Sequence, residues 1–171
     1  MHTKAVFRAA QGLADAGIAG LRFNFRGVGT STGSYEEGIG EKDDVAAALD
    51  WLEEEHPRLP LVAGGFSFGS MVSVGYAVGD PRVVALFAVG IPVRLYDYTF
   101  LKGAAKPVLI VQGEDDEFGS GTEVESAVAE LGPHVTLVRI PEADHYFSKG
   151  MDEMKGALTE YFRDGPGGGV L

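Results

Sequence analysis

The chain has 171 residues, no cysteine, and 14 Lys and Arg against 25 Asp and Glu, a net charge of −11. That length suits one domain with a self-sufficient core. The lack of thiols excludes a disulfide framework, a thiolate zinc site and a cysteine nucleophile, and the acidic balance argues against a nucleic-acid partner. No apolar run approaches the roughly 20 residues of a membrane span. Met1-His2-Thr3-Lys4 lacks the regions of a signal peptide, so the expectation is a cytoplasmic protein with no membrane partner. The unusual number is glycine, 25 residues, roughly twice average usage. Residues 165–171 form a Gly-rich tail, expected to be flexible, and residues 1–164 are read as one domain. The other glycines lie between apolar runs, where the backbone needs positive φ or close approach.

Lys4 to Ala16 reads as a helix, with Val6, Ala10, Leu13 and Ala14 on one face and Gly17 as its stop. Ile18 to Phe25 reads as a short strand. Glu41 to Glu54 reads as a helix striped by Val45, Ala48, Leu49 and Leu52, with acidic residues at its N-terminal end. Leu61 to Phe66 is a strand and Phe68 to Val78 a helix. Val83 to Val89 is continuously apolar, as a strand buried on both faces should be. Pro107 to Gln112 is another strand, Thr122 to Leu131 a helix, Val135 to Ile140 a strand, and Ser148 to Phe162 a final helix. The alternation predicts an α/β fold, a three-layer sandwich around a mostly parallel sheet of about five strands. Parallel sheets place ligands at the carboxyl ends of their strands. The informative loops therefore follow Phe25, Phe66, Val89, Gln112 and Ile140.

After Phe66 the sequence reads Gly65-Phe66-Ser67-Phe68-Gly69, a G-x-S-x-G between a strand and a helix. In that context the serine sits on a tight turn that lifts its hydroxyl above the sheet. The helix that follows aims its first amides at the same point, which makes the Phe68 N–H a candidate oxyanion donor. A phosphate-binding loop fits less well, because no lysine precedes Ser70. A tight turn with an incidental serine is the structural alternative.

A serine nucleophile needs a base, and the base an orienting carboxylate. Of four histidines, His2, His56 and His134 read as terminal or surface residues, whereas His145 follows a strand at its carboxyl end. The acid lies in Glu114-Asp115-Asp116-Glu117, which also reads as a solvated loop or a hard-metal site. The order Ser67, Asp116, His145 is the Ser…Asp…His order of α/β-hydrolases.

With these residues in place, the chain resembles the α/β-hydrolase superfamily from Ala5 to Phe162, and within it the small lidless serine hydrolases and esterases related to dienelactone hydrolase. Leu21 to Ser31 resembles the family's D-x-R-G-x-G-x-S strand and loop, with Asn24 where Asp is usual. Gly65 to Gly69 resembles the elbow. Gln112-Gly113-Glu114-Asp115-Asp116 resembles the G-x-x-D motif and selects Asp116 over Asp115. Ala143-Asp144-His145-Tyr146-Phe147 resembles the terminal A-D-H-x-F. The resemblance implies attack by Ser67 on the carbonyl of a small-molecule ester, His145 as base and Asp116 as its orienter, with no metal or organic cofactor.

The loop Gly27 to Gly33 lacks the third glycine of a dinucleotide fingerprint, so its reading is structural, shaping the rim of the site. The short stretch from Gly90 to Lys106 leaves no room for a cap. Its Tyr96, Tyr98 and Phe100 either wall the site as substrate-binding residues or pack the loop onto the body.

Family members resemble this chain at Met1-His2-Thr3-Lys4 only after a strand and a His-Pro/Gly-Gly-like loop that supplies a second oxyanion donor. The chain is therefore expected to be N-terminally short of that pattern. One consequence is that Ile18–Phe25 either pairs directly with Leu61–Phe66 or leaves an unpaired edge that invites a homodimer. The other is an alternative function, a non-catalytic α/β-hydrolase-like domain that serves as a binding or interaction module.

Overall fold

A computed structural model describes residues 3–171. Met1 and His2, including the reading of His2 as a terminal polar residue, lie outside the described residues. The elements in chain order are α1 (Lys4–Asp15), α2 (Glu41–Glu55), β1 (Leu61–Phe66), α3 (Phe68–Ala77), β2 (Val83–Val89), β3 (Val108–Gly113), α4 (Gly121–Val128), β4 (Val135–Ile140) and α5 (Met151–Arg163). All strand pairs are parallel, in the order β1-β2-β3-β4. The crossover from β2 to β3 carries only a 3-10 turn, Thr99–Leu101, where the other crossovers carry α3 and α4. No helix among the described residues is long and apolar enough to cross a membrane.

The sheet has four strands where the sequence predicts about five. Ile18–Phe25 joins no ladder. The Ile18 N–H closes onto the Leu13 carbonyl at the end of α1, and the Asn24 carbonyl accepts the Ser31 hydroxyl. Leu21 and Phe23 remain exposed. A strand needs a neighbouring backbone to satisfy its amides, and among the described residues β1 is bonded only to β2. Of the two alternatives for this segment, direct pairing is excluded and β1 is an edge. The helix ends also differ from their predicted places. Thus α4 starts at Gly121, because Ser120 caps it and Glu123 reciprocates in a capping box. Likewise α5 starts at Met151, after Gly150 at φ 81°. At the C-terminus, Gly168–Val170 forms a 3-10 turn, and Gly167 is buried beside Tyr161 and Phe162.

Period-two alternation splits the core between the two faces of the sheet. Leu86, Ala88, Val108 and Ile110 meet α2, α3 and α4 through Val45, Leu49, Val72, Val74 and Val124. Ala85, Phe87, Val89, Leu109 and Val111 meet α1 and α5 through Ala9, Leu13, Met154, Leu158 and Phe162. β2 and β3 are therefore covered on both sides, which is why they read as unbroken apolar runs.

The turn from β1 into α3 depends on a close backbone approach. A Cβ on Gly65 would lie 2.5 Å from the carbonyl carbon and oxygen of Gly69 and 2.8 Å from the Ser70 nitrogen. These are backbone atoms and cannot swing aside. Gly65→Ala is expected to cost about 1–3 kcal/mol as an overpacked site, read as a lower urea midpoint at unchanged m-value.

A second loop is held from beneath. The Arg26 guanidinium binds Asp44 on α2, with Nε and Nη2 on Oδ1 at 3.1 and 2.9 Å, while the Arg26 N–H reaches Oδ2 at 2.8 Å. Glu41, with no exposed surface, accepts the N–H groups of Glu36 at 2.9 Å and Gly38 at 2.8 Å. Burial pushes the Glu41 carboxyl up, but these amide donors and Arg26 outweigh it and hold it below the ordinary carboxylate range. Asp44 shows the same balance, burial against Arg26. A carboxyl held below its unfolded value contributes stability above that value and loses it as the pH falls through the folded value. Glu41→Gln is therefore expected to lower Tm at pH 7 by about 2–4 °C. The gap from wild type should narrow as the pH falls below the ordinary carboxylate range, about 4.3, and thermal melts from pH 7 downward check it.

Candidate active site

The carboxyl ends of β1, β3 and β4 bring together Ser67, Asp116 and His145. Ser67 stands between β1 and α3 at φ 54° and ψ −126°, a conformation that costs a non-glycine residue about 1–3 kcal/mol. It is held on both sides. The Ser67 N–H donates to the Val89 carbonyl at 2.9 Å, and the Ser67 carbonyl accepts the N–H groups of Ser70 and Met71. The Ser70 hydroxyl donates to the same carbonyl at 2.7 Å, and the Tyr98 hydroxyl meets Ser70 Oγ at 2.9 Å. Since the single Ser70 hydroxyl proton goes to the Ser67 carbonyl, the Tyr98 hydroxyl serves as the donor in that contact, and burial pushes its phenol up.

His145 lies between Ser67 and Asp116. Its Nδ1 is 2.8 Å from Asp116 Oδ2 and its Nε2 is 2.9 Å from Ser67 Oγ. An ionised carboxylate only accepts, so Nδ1 carries the proton and Nε2 is left to accept from the serine hydroxyl. His145 is 3% exposed and Asp116 2%, whereas Ser67 is partly open to solvent. Phe66, Phe118 and Tyr146 surround the imidazole, with ring centroids 5.0, 4.7 and 5.3 Å away. Their apolar faces exclude water and strengthen each electrostatic contact inside.

The histidine loop is pinned by packing. Ala143 and Phe147 have no exposed surface, and burying a phenylalanine side chain contributes about 1.5–3 kcal/mol. The Asp115 N–H donates to the Ala143 carbonyl at 3.0 Å, and the Glu114 N–H to the Ile140 carbonyl at 3.0 Å. Gly113 permits this contact between loops, because a Cβ there would collide with the Ala143 carbonyl.

The acidic run disperses. Glu114 pairs with Arg139, Asp116 faces His145, and the Glu117 carboxylate lies 3.4 Å from the His145 N–H. Among the described residues no three His, Asp or Glu side chains converge as a metal-binding group. The loop from Gly27 to Gly33 closes on itself through Gly27 N–H to Thr32 O.

Of the aromatic residues proposed from sequence, Tyr96 packs beside the elbow's Phe68 ring at 6.2 Å, whereas Tyr98 reaches the elbow from the core side through Ser70. Tyr98 is 4% exposed and belongs to the core. Phe100 is half-buried against that core and faces Gly75 on α3. The predicted wall is therefore divided, and two of its three members hold the crossover onto the body. Phe25 and Tyr35 flank Phe68 instead, at 5.9 and 5.6 Å. The Phe68 N–H opens α3, so no intrahelical carbonyl is available to it. His134, read as a surface residue, is half-buried, and its Nε2 meets the Leu101 carbonyl at 3.0 Å. Phe66, Phe118 and Tyr146 also line the imidazole without a motif to mark them in the sequence. Their only signal was proximity in sequence to Ser67, Asp116 and His145.

Comparison with known proteins places the chain by family and fold. A family model described as an alpha/beta hydrolase domain matches residues 1–159. An uncharacterised protein of Rickettsia prowazekii is 34% identical over 170 residues, 94% of this chain and 71% of the relative. A solved alpha-beta serine hydrolase homologue from Coxiella burnetii is 35% identical with a TM-score of 0.86, over 94% of this chain and 76% of that one. A lidless α/β serine hydrolase from Xanthomonas campestris is 36% identical with a TM-score of 0.86, over 95% and 74%. In sequence, sheet topology and the loops gathered at the strand ends, this chain belongs to the α/β-hydrolase family and has the fold of its hydrolases.

Proposed function

We propose that the protein is a serine hydrolase that cleaves small-molecule carboxylic esters with small or exposed acyl groups, through an acyl-enzyme on Ser67. The observation that carries this reading is the continuous hydrogen-bonded chain from Ser67 Oγ through His145 to a buried Asp116. Ser67 Oγ attacks the ester carbonyl carbon while its proton passes to His145 Nε2. Asp116 stabilises the imidazolium that forms. The Phe68 N–H, at the positive end of α3, donates to the developing oxyanion. Collapse of the tetrahedral intermediate expels the alkoxide, which takes the proton from His145. Water then enters and attacks the acyl carbon as its proton passes to His145, and collapse of the second tetrahedral intermediate breaks the bond to Ser67 Oγ, which takes that proton back from His145 as the acid leaves. The short β2–β3 crossover supports an open site, and Tyr96, Tyr35 and Phe25 around Phe68 offer it an apolar wall.

A fluorophosphonate probe tests the nucleophile. Labelling is expected for wild type and absent for Ser67→Ala, and a well-folded wild type that does not label overturns the reading. Asp116→Asn leaves the side-chain volume in place but reverses a hydrogen bond, and is expected to lower kcat by about 10⁴-fold.

The charge around the site also favours an uncharged substrate. Asp115, Glu117 and Asp144 flank Asp116 and His145 in a chain of net charge −11. An ester carrying a carboxylate on its acyl arm is expected to show kcat/KM about 10-fold below its neutral homologue at low salt. The ratio should narrow at about 0.5 M salt. Paired assays with p-nitrophenyl butyrate and mono-p-nitrophenyl succinate check both statements.

A further inference from the structure

Gln112 occupies the penultimate position of β3, with no exposed surface. Its amide makes three contacts. Oε1 accepts the Ile91 N–H at 2.8 Å. Nε2 donates to Asp116 Oδ2 at 2.8 Å and to the Gly119 carbonyl at 2.7 Å. The orientation of the amide follows from its partners, since the reverse would set an NH₂ against an N–H and an oxygen against two acceptors. Asp116 Oδ2 is also the oxygen that receives His145 Nδ1, while Oδ1 receives the Phe118 N–H at 2.8 Å.

We infer that Gln112 is a positioning residue of the hydrolytic site, which fixes the Asp116 carboxylate and sets the pH at which the Asp116–His145 pair takes up its first proton. The inference rests on the serine-hydrolase reading above. A buried carboxylate stays ionised only when donors replace the water it lost. Among the described residues three donors do so: the Phe118 backbone N–H, the His145 Nδ1–H and the Gln112 amide. The amide alone shares an oxygen with the imidazole, so it both orients Oδ2 toward His145 and stabilises its negative charge. Through Ile91 and Gly119 it also ties the acid to the end of β2 and to the loop before α4.

Removing the amide leaves the active form, with Asp116 ionised and His145 neutral, short of one donor. Either form with one added proton is hurt less, because its charge is neutralised or compensated. Whichever group takes the proton, the first protonation of the pair moves to higher pH. Other charged groups facing the pair stay in place. They are Glu117, 3.4 Å from the His145 N–H, Asp144, engaged by the Ser148 N–H, and Arg94 from the β2–β3 crossover, held by Glu123.

The test is the pH profile of kcat/KM for two variants. Gln112→Met keeps the length of the side chain and deletes its hydrogen bonds. It is expected to raise the acid limb by about one pH unit and to lower the plateau about 10-fold, with KM changed less than about twofold. Gln112→Glu keeps an acceptor for Ile91 but sets a second carboxyl beside Asp116, and is expected to raise the limb further. An acid limb that stays at the wild-type pH in a folded variant overturns the inference, even if Tm and kcat fall, because a purely structural role moves those alone. Fluorophosphonate labelling of wild type, run alongside, separates the two readings. Labelled wild type with unmoved limbs overturns this inference only, and unlabelled folded wild type overturns both.

Discussion

The backbone of Ser67 is held where a serine does not rest by itself. At φ 54° it occupies a costly conformation, and the turn around it forces the end of β1 to within contact of the first turn of α3. Everything nearby is arranged to hold that turn. Gly65 gives the space, Val89 on the neighbouring strand takes the Ser67 N–H, and three donors converge on the Ser67 carbonyl. The last of these, Ser70, is itself reached by Tyr98 from the β2–β3 crossover. The strain is therefore stored in a lattice of hydrogen bonds and cannot relax without breaking several of them. What it yields is a hydroxyl lifted clear of the sheet at the N-terminal end of a helix.

From that point the site follows from the sheet. Parallel strands end side by side, so the loops after β1, β3 and β4 meet in space although their functional residues are 78 and 29 positions apart. The two loops that carry Asp116 and His145 are also bonded to each other, through Asp115 and Glu114 onto the strand end and loop of β4. The acid and the base are thus tied through their backbones as well as through their 2.8 Å side-chain contact.

Much of this was legible beforehand because the signals were local and of different kinds. β2 and β4 have their predicted bounds, since each is an apolar or β-branched run closed by glycine or proline. Ser67, Asp116 and His145 could be placed because each follows a strand. The fifth strand was misread for a physical reason. Ile18–Phe25 has the composition of a strand, but a strand is defined by its neighbour, and no pattern within eight residues records whether a neighbour exists. Tyr98 and Phe100 were ambiguous in the same way. An aromatic side chain in a loop packs inward or outward according to what lies beneath it, and beneath these two lie Ser70 and Gly75 of α3. Gln112 carries no functional signal in the sequence, because a polar residue at the end of an apolar strand does not show what its side chain meets across the fold.

The absence of an α-helix between β2 and β3 links the places of Tyr98 and Gln112. With only a 3-10 turn to cross from one strand to the next, the chain from Gly90 to Pro107 lies directly against the body. Its first residue beyond Gly90, Ile91, gives its N–H to Gln112, and Tyr98 gives its hydroxyl to Ser70. One short segment thus touches the support of the acid and the support of the serine, from opposite sides of the site. A helical domain inserted at this point would cover the site, but it would also have to carry both contacts across a longer and looser path. In this chain the crossover whose shortness leaves Ser67 open to solvent is the same crossover whose Tyr98 braces the Ser67 carbonyl through Ser70.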